Sequence, residues 1–393
     1  MLLEYLRNIM RLIQLLMKGG FFLRQFIKLF VVFACLMLVI TGTTIALAST
    51  GHSDLQGSLA HKLNVFMDEK ARSEHFNGVV LVAKDGKPVF EKGYGFADKE
   101  AGIPNQIDTE FRIASLTKSF TAVSILQLEQ QGKLITTDPI SKYIPDFPDG
   151  DKITIHYLLT HSSGVKDHAE LTDTTKPITL PDLIDLMKKQ TLLFDPGTEY
   201  KYSNTGYMIL AYIVEKVSGQ HYGEYYKEHI FKPAGMEHTY LRQAQVKNFA
   251  VGYENMKKVV DRDDESQLAG AGDLISTVGD MLCYINALND HKLLSETETK
   301  KMETGYIDSS EWGVFKYGYG WNVANNIISF ERPMIEHNGS LPGYKSDVVD
   351  FPDDRVTVIL LSNNHGSWTT GPIARELASI CLDKRYWFME KDF

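Results

Sequence analysis

The sequence predicts an α+β fold: an antiparallel sheet built from N- and C-terminal strands and flanked by helices, with a mainly helical segment inserted between them. Three observations predict it. Strand patterns gather near both ends of the chain, at 78–96 and 321–362. A helical period dominates about 138–300. Turn signals, Asp85-Gly86 and Pro352-Asp353-Asp354, separate neighbouring strands at each end.

Taken in order, the first 28 residues carry Arg7, Arg11, Lys18, Arg24 and Lys28 against one acid, Glu4. An unbroken apolar run follows, Leu29 to Ile40, and then small residues ending Ala46-Leu47-Ala48. Basic, apolar, then Ala-x-Ala is the order of a secretory signal peptide cut after Ala48. The basic part is long, which makes Met10 and Met17 candidate starts. The rival reading is an uncleaved membrane anchor over residues 29–48, since about 20 residues at ~1.5 Å each just span a bilayer. Either reading of 1–48 predicts an extracytoplasmic protein, secreted or anchored to the outer face of the cell membrane.

The remainder, 58–383, begins with a helix over Leu59 to Ala71, where Leu63, Phe66 and Met67 recur at helical spacing. Gly78 to Lys84 reads as a buried strand and Pro88 to Phe96 as its hairpin partner. Ser115 to Gln131 reads as a helix with Leu116, Phe120, Val123, Leu126 and Leu128 on its apolar side and Gly132 at its stop. Leu180 to Gln190 and Gly206 to Ser218 show the helical period best within 138–300. Trp321 to Ala324, Ile327 to Phe330, Met334 to His337, Tyr344 to Phe351 and Val356 to Ser362 read as strands, and Gly371 to Leu382 as a closing helix. A crevice between the sheet and the helical insertion is the natural pocket.

Composition narrows the partners. The 393 residues are 44% apolar and 23% charged, ordinary for a globular chain, with a formal charge of −9. Without residues 1–48, 36 Lys+Arg stand against 49 Asp+Glu, a balance of −13. That charge argues against a nucleic-acid partner. Cys35 lies inside the apolar run, which continues past it and speaks against lipid attachment there. Cys283 and Cys381 are too few for a disulfide framework and read as buried thiols. His156, His161 and His168 lack the spacing of metal ligands and read as loop and packing residues. No metal and no cofactor are implied.

Two Ser-x-x-Lys motifs occur, Ser115-Leu-Thr-Lys118 and Ser163-Gly-Val-Lys166. Context separates them. Ser163 lies in a loop, which gives Lys166 no fixed relation to it. Ser115 opens a helix, where residues three apart share a face. A serine there also serves as a helix N-cap, with the lysine solvated, and that alternative stays open on the motif alone. As a nucleophile, Ser115 needs a base to take its proton. Lys118 serves only when neutral, so its pKa must fall from about 10.4 by roughly 3, at a cost of about 4 kcal/mol. Burial and a nearby cation lower it. Tyr202-Ser203-Asn204, on a loop held at a helix start, offers a phenol to shuttle a proton and an amide to hold Lys118 or a substrate. His337-Asn338-Gly339-Ser340 ends a strand. There Gly339 lets a substrate backbone approach and backbone N–H groups offer an oxyanion hole. A plain Asn-Gly turn explains the same four residues.

Together and in order, Ser115-x-x-Lys118, Tyr202-x-Asn204 and His337-x-Gly339 resemble the three motifs of the serine β-lactamase and penicillin-binding protein superfamily. The text between them is similar too: Ile155-His-Tyr-Leu-Leu-Thr-His161-Ser-Ser-Gly164, Pro196-Gly197 and Gly270-Ala-Gly272-Asp-Leu-Ile-Ser-Thr277. The resemblance spans about 60–383 and is closest to the branch of class C β-lactamases, D-alanyl-D-alanine carboxypeptidases and related esterases.

It implies that Ser115 forms an acyl-enzyme, that Lys118 and Tyr202 share the acid and base work, and that Asn204 positions Lys118 and the substrate. It further implies that the N–H groups of Ser115 and Ser340 hold the oxyanion. His337 stands where many relatives carry lysine, a weaker partner for a substrate carboxylate unless protonated. No glutamate loop of the class A kind is visible. The expected substrate is a small molecule or peptide with a scissile amide or ester, foremost a D-alanyl peptide of peptidoglycan. A β-lactam, a carboxylic ester and a non-catalytic penicillin sensor are the alternatives.

Overall fold

Two residues able to hold positive φ close the first hairpin. Asp85 (φ 53°) and Gly86 (φ 74°) form the tight turn that matches strand twist, joining β1 (Gly78–Lys84) to β2 (Lys87–Tyr94). The computed structural model describes residues 58–241, 248–260, 264–310, 313–366 and 369–384. The predicted export segment, 1–48, lies outside them.

In chain order the elements that frame the site are α1 (Leu59–Ser73), β1, β2, α2 (Thr117–Gln130), α3 (Leu180–Met187), α4 (Asn204–Ser218) and α5 (Val278–Asn289). There follow β3 (Ile307–Asp308), β4 (Lys316–Tyr317), β5 (Asn322–Ala324), β6 (Met334–Leu341), β7 (Tyr344–Phe351), β8 (Val356–Ser362) and α6 (Thr370–Cys381). The main sheet has eight strands in the order β3-β4-β5-β6-β7-β8-β1-β2. Every neighbouring pair is antiparallel, and β1 runs from Gly78 opposite Ser362 to Lys84 opposite Val356. Strands from the two ends thus share one antiparallel sheet, as the sequence predicts, and the structure adds that the first hairpin pairs directly with the last strand.

The sheet is covered on both faces, which explains why β1 and β8 are apolar without alternation. Val79 and Leu81 join one core with Phe120, Val123 and Leu126 of α2. Val80 and Val82 join another with Leu63 and Met67 of α1 and Ile373 and Leu377 of α6. Helix α2 has twelve of its fourteen residues buried, so it has no solvent face. Its small polar residues turn inward on backbone, Ser119 Oγ donating to the Leu116 carbonyl (2.8 Å) and Ser124 Oγ to that of Phe120 (2.9 Å). Helix α4 starts on Ser203, whose Oγ accepts from the Gly206 N–H, and stops at Gly219 in the left-handed region.

Two expectations need correction. Ile327 to Phe330 is no strand: Ile327–Ser329 is a single 3₁₀ turn. The Asn326 side chain accepts from the Ile328 N–H (3.2 Å), Ser329 Oγ accepts from the Asn326 N–H (2.9 Å), and Phe330 leaves at φ 59°. A side-chain cap outweighs the apolar run there. Nor does Asn338-Gly339 turn the chain. Strand β6 runs on to Leu341, and the reversal falls at Pro342-Gly343, with Gly343 at φ 85°.

Candidate active site

The nucleophile candidate is presented by a strained turn. Ala114 holds φ 49°, rare for a residue with a β-carbon, in the 3₁₀ turn Ala114–Leu116 that runs into α2. The turn is clamped on both sides. The Ile113 N–H donates to the Leu274 carbonyl (3.0 Å), and Ser346 Oγ donates to the Ile113 carbonyl (2.7 Å). Gly339 closes the clamp: a β-carbon there would stand 2.3 Å from Ser346 Oγ, 2.5 Å from the Ile113 oxygen and 2.9 Å from Ala114 Cβ. The glycine therefore serves approach of the protein's own chain, where the sequence suggests approach of a substrate.

Ser115 does not cap the helix, which begins on Leu116 with no side-chain cap, and Lys118 is not solvated but fully buried. Lys118 Nζ lies 2.8 Å from Asn204 Oδ1, 2.8 Å from the Ala271 carbonyl and 3.2 Å from Ser115 Oγ. Burial lowers its pKa to about 7. The nearby cation expected from the sequence is not what does this. Coulombic attraction from Asp167 and Asp273 opposes the shift, and desolvation prevails. Nζ thus faces three acceptors, Asn204 Oδ1, the Ala271 carbonyl and Ser115 Oγ. In the neutral form two N–H groups suffice for the two carbonyl oxygens, which only accept, and the lone pair is then available to Ser115 Oγ.

Asn204 is fixed through its own backbone, whose N–H donates to Asp167 Oδ2 (2.8 Å) at the start of α4. Tyr202 is half-buried, with its ring centroid 4.7 Å from Lys118 Nζ. Burial pushes its phenol far above the ordinary tyrosine range, while a hydrogen bond with Ser115 pulls the other way. The hydroxyl thus stays protonated beside the serine. Behind it lies His161, fully enclosed at φ 57°, with its ring 4.2 Å from that of Tyr202. His161 Nδ1 accepts the Ser203 N–H (3.1 Å), which puts the ring proton on Nε2.

His337 joins the cluster as a neutral residue. Its Nδ1 faces the Asn338 carbonyl (2.7 Å) and so carries the proton; its Nε2 then accepts from the Tyr317 hydroxyl (2.9 Å). Burial first, and Lys118 second, lower its pKa to about 3. It therefore offers no cation to a substrate carboxylate. Ser340 is exposed, its Oγ 3.0 Å from His365 Nε2. Strand β5 pairs only with Met334–Glu336, so the outer edge of β6 from His337 onward has no partner strand among the described residues. That leaves backbone groups near Gly339 and Ser340 open beside Ser115.

The second Ser-x-x-Lys is a local turn. Ser163 is buried, and its Oγ accepts from the Val165 N–H (3.3 Å). The sequence did not single out the Ala271 carbonyl, Asp167 or Tyr317, and it read His161 as packing only. Gly270–Asp273 carried a signal, as a resembling stretch. Tyr317 is one of 19 tyrosines and carried none.

A serine at a helix start, a buried lysine one turn on, and a Tyr-x-Asn brought in from the helical insertion define the class of penicillin-recognising serine proteins. The family described as Beta-lactamase matches residues 63–380, and the chain belongs to it. That family comprises serine hydrolases. The chain is 38% identical over 294 residues to PbpX of Bacillus subtilis (strain 168), a candidate penicillin-binding protein, covering 74% of this chain and 71% of that one. It is 30% identical over 327 residues to penicillin-binding protein 4* of the same organism, covering 77% and 71%. Among solved structures, the octameric penicillin-binding protein homologue from Pyrococcus abyssi aligns with a TM-score of 0.74 at 30% identity, over 83% of this chain and 78% of that one.

Proposed function

We propose that the protein is an exported acyl-serine hydrolase acting on D-alanyl peptides of peptidoglycan. The observation that carries this is the buried amine of Lys118, its pKa lowered to about 7, 3.2 Å from Ser115 Oγ. Ser115 Oγ attacks the carbonyl carbon and its proton passes to Lys118 Nζ. The C–N bond then breaks as the departing amine takes a proton from the Tyr202 hydroxyl, which Lys118 resupplies. Water hydrolyses the resulting ester, its proton returning through the same two groups to Ser115. Asn204 holds Lys118 in place, and the N–H groups of Ser115 and Ser340 receive the oxyanion. The penicillin-binding relatives support the substrate class. The basic, apolar, Ala-x-Ala order of residues 1–48 supports export. An N-terminus at Ser49 on protein recovered from cells is the expected sign of cleavage.

A second reading, an esterase or amidase for substrates without a terminal carboxylate, is favoured by the neutral His337. Incubation with diacetyl-L-lysyl-D-alanyl-D-alanine and with p-nitrophenyl acetate separates the two. Release of D-alanine supports the peptidase. Ester cleavage alone supports the second reading. Turnover of neither, or turnover that survives Ser115→Ala, contradicts both.

A further inference from the structure

Asp273 is a buried carboxylate that the reaction above does not use. It lies in the segment 270–274, which holds both reacting side chains from behind. The Ala271 carbonyl meets Lys118 Nζ (2.8 Å), the Leu274 carbonyl accepts the Ile113 N–H (3.0 Å), and the Leu274 N–H donates to Thr117 Oγ1 (3.3 Å). The serine's turn and its base thus take their places from this segment.

Asp273 fixes the segment in turn. Its Oδ1 accepts the Gly270 N–H (3.2 Å), closing a tight loop around Ala271. Its Oδ2 accepts from the Tyr222 hydroxyl (2.6 Å), which ties that loop to the short helix Tyr222–Tyr226. Thr121 of α2 adds a second tie. Its Oγ1 donates to the Gly270 carbonyl and accepts from the Tyr226 hydroxyl (2.7 Å).

The carboxylate also acts at a distance. Tyr222 and Tyr226 face it with phenols kept protonated by burial first and by Asp273 second, and Glu215 of α4 lies near both. Arg112, on the short strand paired with Leu274–Ser276, attracts it. Burial pushes its pKa up to about 6, so at pH 7 it is ionised. On the far side of the loop, Lys118 is attracted by Asp167 and by Asp273. Its other titratable neighbours, His161 and His337, are neutral, and the rings of Tyr202 and Tyr207 flank it.

We propose that Asp273 is a positioning residue for Lys118: its carboxylate holds the Ala271 carbonyl on the amine, and its negative charge makes that amine a stronger base. The proposal rests on the reading of Ser115 and Lys118 as nucleophile and base.

The test is the rate of fluorophosphonate labelling of Ser115 between pH 5 and 9 in full-length wild type, Asp273→Asn and Asp273→Ser. The wild-type rate is expected to rise to a plateau with its midpoint at about 7. Asp273→Asn keeps the shape and removes the charge, so the midpoint is expected to fall by about half a unit or more. Asp273→Ser removes the charge from a smaller side chain and is expected to move it the same way. A purely structural role would lower the labelled fraction at every pH and leave the midpoint in place. A midpoint unmoved or moved upward in a folded variant overturns the assignment. Failure of both variants to fold also overturns it, since the carboxylate would then serve the fold alone. Urea unfolding reads the amine without acylation: the stability gained over the matching Lys118→Met protein is expected to set in at lower pH when Asp273→Asn is present. That shift without labelling of the wild type would sink the hydrolase reading and leave the tie between Asp273 and Lys118 standing.

Discussion

Lys118 Nζ and Asn204 Oδ1 meet at 2.8 Å across the junction between the helix that carries the serine and the helical insertion. Together with the Ala271 carbonyl, this contact holds the buried amine 3.2 Å from Ser115 Oγ. Its pKa of about 7 sets the pH dependence. For an ester substrate, kcat/KM is expected to rise about tenfold per pH unit below 7 and to level off above it. Asn204→Asp adds a carboxylate that favours the charged amine, so the rising limb moves to higher pH. A pH–rate profile of the two proteins checks this.

The same shift has a signature in stability. A lysine neutral in the folded state above pH 7 and charged in the unfolded state up to about 10.5 makes the unfolded chain bind more protons in that window. Stability relative to Lys118→Met therefore climbs by up to about 1.4 kcal/mol per pH unit from 7 toward 10 and is flat below 7. Urea unfolding of both proteins at pH 6, 8 and 9.5 reads the difference.

Gly339→Ala inserts a β-carbon 2.5 Å from the Ile113 oxygen. The expected cost is about 1–3 kcal/mol of stability, with loss of fluorophosphonate labelling as the Ala114 turn shifts. Normal labelling of a stable Gly339→Ala protein contradicts the clamp.

His161 acts through Tyr202 and the Ser203 backbone rather than on substrate. His161→Phe leaves the Ser203 N–H without its acceptor. It is expected to lower kcat by up to about 100-fold with KM little changed. His161→Asn, which keeps an acceptor, is expected to restore part of that loss. Steady-state kinetics of the pair decides it.

His337 is a structural acceptor for Tyr317. Replacing it by Leu takes away the acceptor of the buried Tyr317 hydroxyl and is expected to cost about 1–3 kcal/mol. In the wild type, His337 is expected not to titrate between pH 5 and 8, as followed by NMR of its ring protons.

Much of the frame was legible because its signals are local. Tyr344–Phe351 and Val356–Ser362 have the bounds the apolar pattern predicts, and Asp85-Gly86 makes the turn its residue types predict. Ile327 to Phe330 misled because its apolar content resembles a strand, whereas the backbone follows the Asn326 cap. The serine, lysine, tyrosine and asparagine were legible as spaced residue types. The Ala271 carbonyl was not, since every residue has one and only the fold aims it. Gly339 was visible as a glycine, but the chain it admits, 113–114, is more than 200 positions away and cannot be read from spacing.

The most direct test of the central claim is intact-mass analysis of the protein after brief exposure to benzylpenicillin. The account predicts acylation of Ser115: an adduct of one penicillin on that residue, or, where deacylation is fast, consumption of the drug, and neither in Ser115→Ala. An adduct on another residue, or penicillin turnover unchanged by Ser115→Ala, would contradict it.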